Sequence, residues 1–198
     1  MYQCQIHKIN KMKQSLVEIF KEIGNHSGND YGGNDKNSTH TYLETYDRLF
    51  APFRDGCTML EIGLATGDSI KLWDRYFQNS TIVGVDITIV FGAIPYVPNG
   101  NIKNIIQADA TKPEFLEKIK DYEFSIVVED SSHMEADSVA IFNLLKSKMK
   151  PGGVYIVEDV LSIDLSRERF EALHDNCEII DMRHLNNRFD NVLAVYRF

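Results

Sequence analysis

The chain has 198 residues, 43% of them hydrophobic and 25% charged, with a formal net charge of -8. That length suits one sizeable domain, and the acidic balance argues against nucleic acid as a partner, since phosphate-binding proteins carry a basic face. Cys4, Cys57 and Cys177 are odd in number and far apart, so they read as free thiols and exclude a disulfide framework.

In chain order, Ile9, Met12, Leu16, Ile19 and Ile23 fall at steps of three and four, which predicts an amphipathic helix stopped by Gly24. The N-terminus has no apolar signal-like stretch and no run reaches membrane-spanning length, so a soluble, cytoplasmic protein without a membrane partner is expected. The stretch "GNHSGNDYGGNDKNST" then reads either as a linker or as a loop closing over a site. Helical spacing resumes with Tyr42, Tyr46, Leu49 and Phe53 on one face. This divides the chain into 1–39, a helix and polar loop that would serve as a lid, and 40–198, the main domain.

From Cys57 the rhythm changes. Seven short apolar runs ("CTMLEIG", "TIVGVDI", "NIIQAD", "FSIVVED", "GVYIVED", "CEIIDM" and "VLAVYRF") alternate with helical stretches carrying Ile70, Trp73 and Phe77, then Phe115 and Ile119, then Val139, Phe142 and Leu145. Strands apolar on both faces and separated by amphipathic helices predict an α/β fold with a mostly parallel sheet covered on both sides. The third of these helices is expected to stop at "KPGG", and the last two runs to form an antiparallel hairpin at one edge without an intervening helix.

The strands end in acids: Glu61, Asp86, Asp109, then Glu129 with Asp130, then Glu158 with Asp159. Any one of these is most simply a helix cap. Five strands in succession point instead to the crevice outside the carboxyl ends of an open α/β sheet, where ligands bind. Gly63 and Gly67 in "LEIGLATGDS" let the backbone approach a ligand at a helix start, and Asp86 stands where a carboxylate accepts ribose hydroxyls. The spacing is not that of a dinucleotide site, because Ala65 and Asp68 replace two of its glycines and Asp68 repels a pyrophosphate. S-adenosylmethionine, with an amine, a sulfonium and a ribose but no phosphate, suits Glu61 and the acidic turn better; Asp109 would meet adenine, and Trp73 belongs to the core.

The order Glu61, Gly63, Gly67, Asp86, Asp109, Asp130 resembles the class I S-adenosylmethionine-dependent methyltransferases from about Tyr42 to Phe198. The resemblance implies a Rossmann-like, seven-stranded sheet with the last strand antiparallel. Three stretches narrow it: "GGNDKNSTHTYLETY" is similar to a G-x-D-K…H-x-Y segment, "EDSSH" to D-D-G-S-H, and "GGVYIVED" to G-G-x-x-x-x-E-D. Together they resemble the metal-dependent macrolide sugar O-methyltransferases and the related cephalosporin-hydroxylase-type family. By that resemblance Asp130, Glu158 and Asp159 are the metal ligands and His133 the general base, with a small-molecule or glycan substrate. Ser131 replaces the family glycine, and the family's longer N-terminal region implies here a smaller lid or one supplied by another subunit of a homo-oligomer.

The chemistry runs the same way. Three carboxylates in one crevice repel unless a cation lies between them, and all-oxygen donors favour a hard ion such as Mg²⁺. A coordinated sugar hydroxyl loses its proton more readily, and an imidazole can take it. Glu129 alternates with Asp130 and points the other way, Glu135 and Asp137 belong to an exposed helix face, and His40 either approaches the site or begins a helix. Two rival readings stand beside this one: an oxidoreductase, nicotinamide-dependent or of the hydroxylase type, and a non-catalytic binding module on the same fold.

Overall fold

The computed structural model describes residues 13–23, 35–89 and 99–198. Its centre is a seven-stranded sheet in the order β3-β2-β1-β4-β5-β7-β6, built from β1 (Thr58–Ile62), β2 (Thr81–Asp86), β3 (Ile102–Gln107), β4 (Phe124–Glu129), β5 (Met149–Val157), β6 (Cys177–Asp181) and β7 (Val192–Arg197). All seven apolar runs are strands, and the order reverses beside β1, the switch point at which α/β sheets open a crevice. β7 lies antiparallel between β5 and β6. The helices are α1 (Leu16–Ile23), α2 (Leu43–Phe50), α3 (Asp68–Tyr76), α4 (Phe115–Lys118), α5 (Glu135–Leu145), α6 (Ile163–Glu171) and α7 (Arg183–Asn186). None of the described helices is long and apolar enough to cross a membrane.

Strand alternation sorts the core into two layers. Met59, Ile126, Val128, Val154 and Ile156 face α1, α2 and α3, while Leu60, Ile62, Val127, Tyr155 and Val157 face the other side with Phe142 of α5. The same parity carries Glu61, Asp130 and Glu158 toward the first layer and Glu129 toward the second. Sheet bonding continues past the strands, Asp130 N–H donating to Ile62 O at 2.8 Å and Glu158 N–H to Glu129 O at 2.9 Å, which fixes the backbone carrying these acids.

Several expectations change. The segment before residue 40 shares the main core: Leu16 and Ile19 of α1 are buried in the first layer. A capping box starts α1 at Ser15, whose Oγ accepts from Glu18 N–H at 3.2 Å while Glu18 accepts from Ser15 N–H at 2.8 Å. Ile9, Met12, Gly24 and most of the polar loop fall outside the described residues. α5 ends at Leu145, and "KPGG" lies within β5 as an irregularity, with Gly152 at φ 78° and a register shift opposite Phe124–Ile126. The hairpin connection holds a single helical turn, α7, because Met182 O accepts from Leu185 N–H there.

Candidate active site

Lys36 organises the acids. It sits in a 3₁₀ turn, Asp35–Asn37, ahead of α2, and its buried ammonium donates to Asp130 Oδ2 at 2.6 Å and to both oxygens of Glu158 at 2.7 Å. Two tyrosines of the same segment hold the β5 pair from the α2 side: Tyr46 OH donates to Glu158 Oε1 and Tyr42 OH to Asp159 Oδ1, each at 2.6 Å. His133 Nε2 lies 3.1 Å from Asp130 Oδ1 and 3.8 Å from Asp159 Oδ2. His40, stacked on the Tyr42 ring at 4.7 Å, brings its own Nε2 to 3.4 Å from Asp159 Oδ2. His133 and Asp159 both hold left-handed backbone, at φ 58° and 52°, the kind of strain that clusters at functional sites.

Electrostatics follow from burial and crowding. Burial opposes ionisation of Asp130, yet Lys36 and His133 outweigh it and hold this carboxyl below its usual range. Burial and then the Asp130 charge push Glu158 well up, and the same pair of causes puts Asp159 at about 7. The hydrogen bond to Asp130 raises His133 to about 9. Burial lowers His40. Lys36 and His133 thus face three carboxylates, and burial followed by the Asp130 charge keeps two of them, Glu158 and Asp159, above their ordinary range. Asp130, His133 and Asp159 each present a donor atom within 4.8 Å of the others. The expected ligand Glu158 stands beside them with both oxygens engaged by Lys36, so in this arrangement it borders the cluster.

Next to Asp130 in the chain, Ser131 lines a cleft of about 210 Å³ together with Gly63, Asp86, Asp109 and Asp137 among others. Gly63 packs against the Asp130 backbone: at φ 88°, a Cβ there would stand 1.9 Å from Asp130 O. Asp86 lines the cleft as expected, but its oxygens already accept from the N–H groups of Leu64 at 2.7 Å, Ala65 at 3.1 Å and Thr88 at 2.9 Å, so it also shapes the "GLATG" turn. Asp109 lines it too while accepting from Thr111 N–H and Oγ–H at 2.9 and 2.6 Å, a local turn. Gly67, at φ 77°, caps the start of α3 and does not line the cleft. Glu61 is fully buried and neither oxygen completes a hydrogen bond among the described residues; burial raises it to about 7 although Lys36, Trp73 and Ser69 ease its ionisation. Trp73 is in the core as expected.

Glu129 points away, accepting from Ser131 N–H at 3.2 Å and from its hydroxyl. Glu135 pairs with Arg169 at 2.7 Å, whereas Asp137, expected on an exposed face, lines the cleft and accepts from Ser132 Oγ at 2.6 Å. Sequence reasoning missed the roles of Lys36, Tyr42 and Tyr46. The D-K…H-x-Y stretch carries the signal, but Tyr42 and Tyr46 also satisfy a helix-face pattern, and spacing alone does not separate packing from a site role.

No family model matches the chain. Among curated proteins it is 36% identical over 138 residues to 8-demethyl-8-alpha-L-rhamnosyl tetracenomycin-C 2'-O-methyltransferase of Streptomyces olivaceus, covering 65% of this chain and 35% of that protein. It is 33% identical over 131 residues to mycinamicin VI 2''-O-methyltransferase of Micromonospora griseorubida, covering 61% and 32%. The matched segment thus spans about a third of these relatives. Among solved structures it overlays MycE methyltransferase of the mycinamycin pathway, in complex with Mg and SAH, with a TM-score of 0.70 and 24% identity, covering 93% of this chain and 55% of that one. An O-methyltransferase from Bacillus cereus in complex with SAH gives a TM-score of 0.59 at 14% identity, covering 92% and 90%. The chain has the class I Rossmann-like methyltransferase fold, and by sequence it is a relative of the tetracenomycin and macrolide sugar O-methyltransferases.

Proposed function

We propose that the chain is a Mg²⁺-dependent O-methyltransferase that moves a methyl group from S-adenosylmethionine to a hydroxyl of a sugar or glycosylated small molecule. The observation that carries this reading is adjacency: Asp130 of the Asp130–His133–Asp159 cluster immediately precedes the cleft-lining Ser131 and packs its backbone against the cleft-lining Gly63. The cleft suits a nucleoside without phosphate, since Asp86, Asp109 and Asp137 line it and would repel a pyrophosphate. Glu61, buried at the end of β1 directly before the cleft-lining Ile62 and Gly63, suits the cofactor's amine.

Asp130 and Asp159, with Glu158 alongside, would hold or border the cation through oxygen alone, leaving the His133 imidazole uncoordinated to serve as base. When bound, the cation would neutralise these carboxylates, relieve the imidazolium character of His133 and acidify a coordinated hydroxyl. Lys36, Tyr42 and Tyr46 fix the carboxylates in place before substrate arrives. His133, half-exposed at the mouth of the cluster, takes the proton as the acceptor oxygen attacks the methyl group. With the sulfonium as electrophile, positioning and proton removal are most of what the protein supplies.

The test has two parts. S-adenosylhomocysteine raises the melting temperature and NAD⁺ does not. Methylation of a panel of glycosylated small molecules, read as the mass gain of one methyl group, requires Mg²⁺ and is abolished in His133→Ala while S-adenosylhomocysteine still binds. A stabilising shift with NAD⁺ alone would transfer the reading to the oxidoreductase, and full turnover in chelator would overturn the metal role.

A further inference from the structure

A second cluster meets Asp159 at the same Oδ2 that faces His133, and the reaction proposed above makes no use of its other two members, Asp35 and His40. We propose that Asp35, His40 and Asp159 form a second divalent-cation site, one that takes a transition metal such as Mn²⁺, Co²⁺ or Zn²⁺. His40 Nε2 is 3.4 Å from Asp159 Oδ2 and 3.8 Å from Asp35 Oδ2, and the three donor atoms all lie within 4.8 Å of one another. Donors on a shared ion at bonds of about 2.0–2.2 Å stand roughly 3–3.5 Å apart, so small side-chain adjustments close the set.

The independent observation is His40 itself. Its side chain is fully buried, yet neither ring nitrogen has a hydrogen-bond partner among the described residues. A buried polar group left in this state is destabilising, and such exceptions call for an explanation. Stacking on Tyr42 fixes the ring plane, and the backbone of Asp35 is tied to that of His40 by the His40 N–H to Asp35 O bond at 2.9 Å. The ring is thus held facing two carboxylates. Were His40 only a hydrogen-bond donor positioning Asp159, the bond would be formed; at 3.4 Å it is not completed. Asp159 Oδ1 is taken by Tyr42, leaving Oδ2 turned toward both His40 and His133. Asp159 can therefore bridge two ions.

The donor set decides the metal. An imidazole with two carboxylates suits first-row transition ions, whereas Mg²⁺ prefers oxygen ligands throughout. Asp35 is 49% exposed on its side chain, which gives the ion an entry path and leaves room for water ligands.

The inference rests on the proposed catalytic cation site only in sharing Asp159, and the experiment separates the two. The full chain, stripped with chelator, is dialysed against Mn²⁺ and the bound metal counted per chain, for wild type, Asp35→Asn, His40→Ala and Asp130→Asn. Asp35→Asn is the decisive variant, because its side chain is half exposed and its backbone keeps the turn. Two ions in wild type are expected, falling to one in each variant, with circular dichroism confirming the fold. A wild-type count unchanged by Asp35→Asn, whatever its value, overturns the second site. A single ion lost in Asp35→Asn but kept in Asp130→Asn upholds it and removes the first site instead.

Discussion

Burial governs Glu61 more than any neighbour does, and the consequence is measurable. A carboxyl whose folded pKa is about 7, against an unfolded value of roughly 4.3, binds its proton more tightly when folded. Stability is therefore greatest below the unfolded pKa and declines as pH rises toward 7, the reverse of a salt-bridged acid. Glu61→Gln removes this contribution. Urea melts at about pH 4.5 and 7.5 should show wild type losing on the order of 3 kcal/mol relative to the variant across that window; parallel curves would mean that Glu61 is ionised throughout. Lys36 acts at the same scale. It was hidden in the sequence because its partners lie 94 and 122 residues away, and spacing along a chain reports nothing about contacts at that distance. His133 was easier to find, since Asp130 and the turn that presents it are local.

Among the elements, the strands were the most legible part. Seven apolar runs became seven strands: the inner ones read as apolar on both faces because both are covered, while the edge strands β3 and β6 are only partly buried. Helix ends were less so: "KPGG" carries every breaker signal, yet β5 begins before it and absorbs it as an irregularity, pairing Gly152 N–H with Phe198 O at 2.7 Å. The two glycines of the β1–α3 turn, read together from sequence, have different duties. Gly63 meets the chain just past β4 at Asp130, whereas Gly67 caps the start of α3 with a left-handed φ of 77°. Gly63→Ala should cost about 2–4 kcal/mol in urea denaturation, combining left-handed strain with a backbone clash. Gly67→Ala should cost only about 1 kcal/mol. Equal losses would refute the close approach of β1 to β4.

For the whole molecule, the question is whether the segment before residue 40 is an accessory or part of the body. Leu16 is fully buried against the first core layer, and Lys36 reaches the ends of β4 and β5. Leu16→Ala is expected to lower the stability of a single cooperative transition by about 2–5 kcal/mol. A separate early transition for α1, with the main unfolding unmoved, would restore the division expected from sequence. That division was the natural reading, because a run of Gly, Asn, Asp and Ser looks like a linker whether or not the helix ahead of it docks.

The placement of β7 has a consequence for biosynthesis. It is the last strand of the sheet to be translated, yet it lies inside the sheet, and its Ala194 pairs with Val157 directly before Glu158 and Asp159. Until residues 192–197 have left the ribosome, β5 has one open edge and β6 has no neighbour. The acidic end of β5 is therefore completed late, and in a nascent chain stalled before β7 the strand that carries Glu158 and Asp159 lacks its antiparallel neighbour.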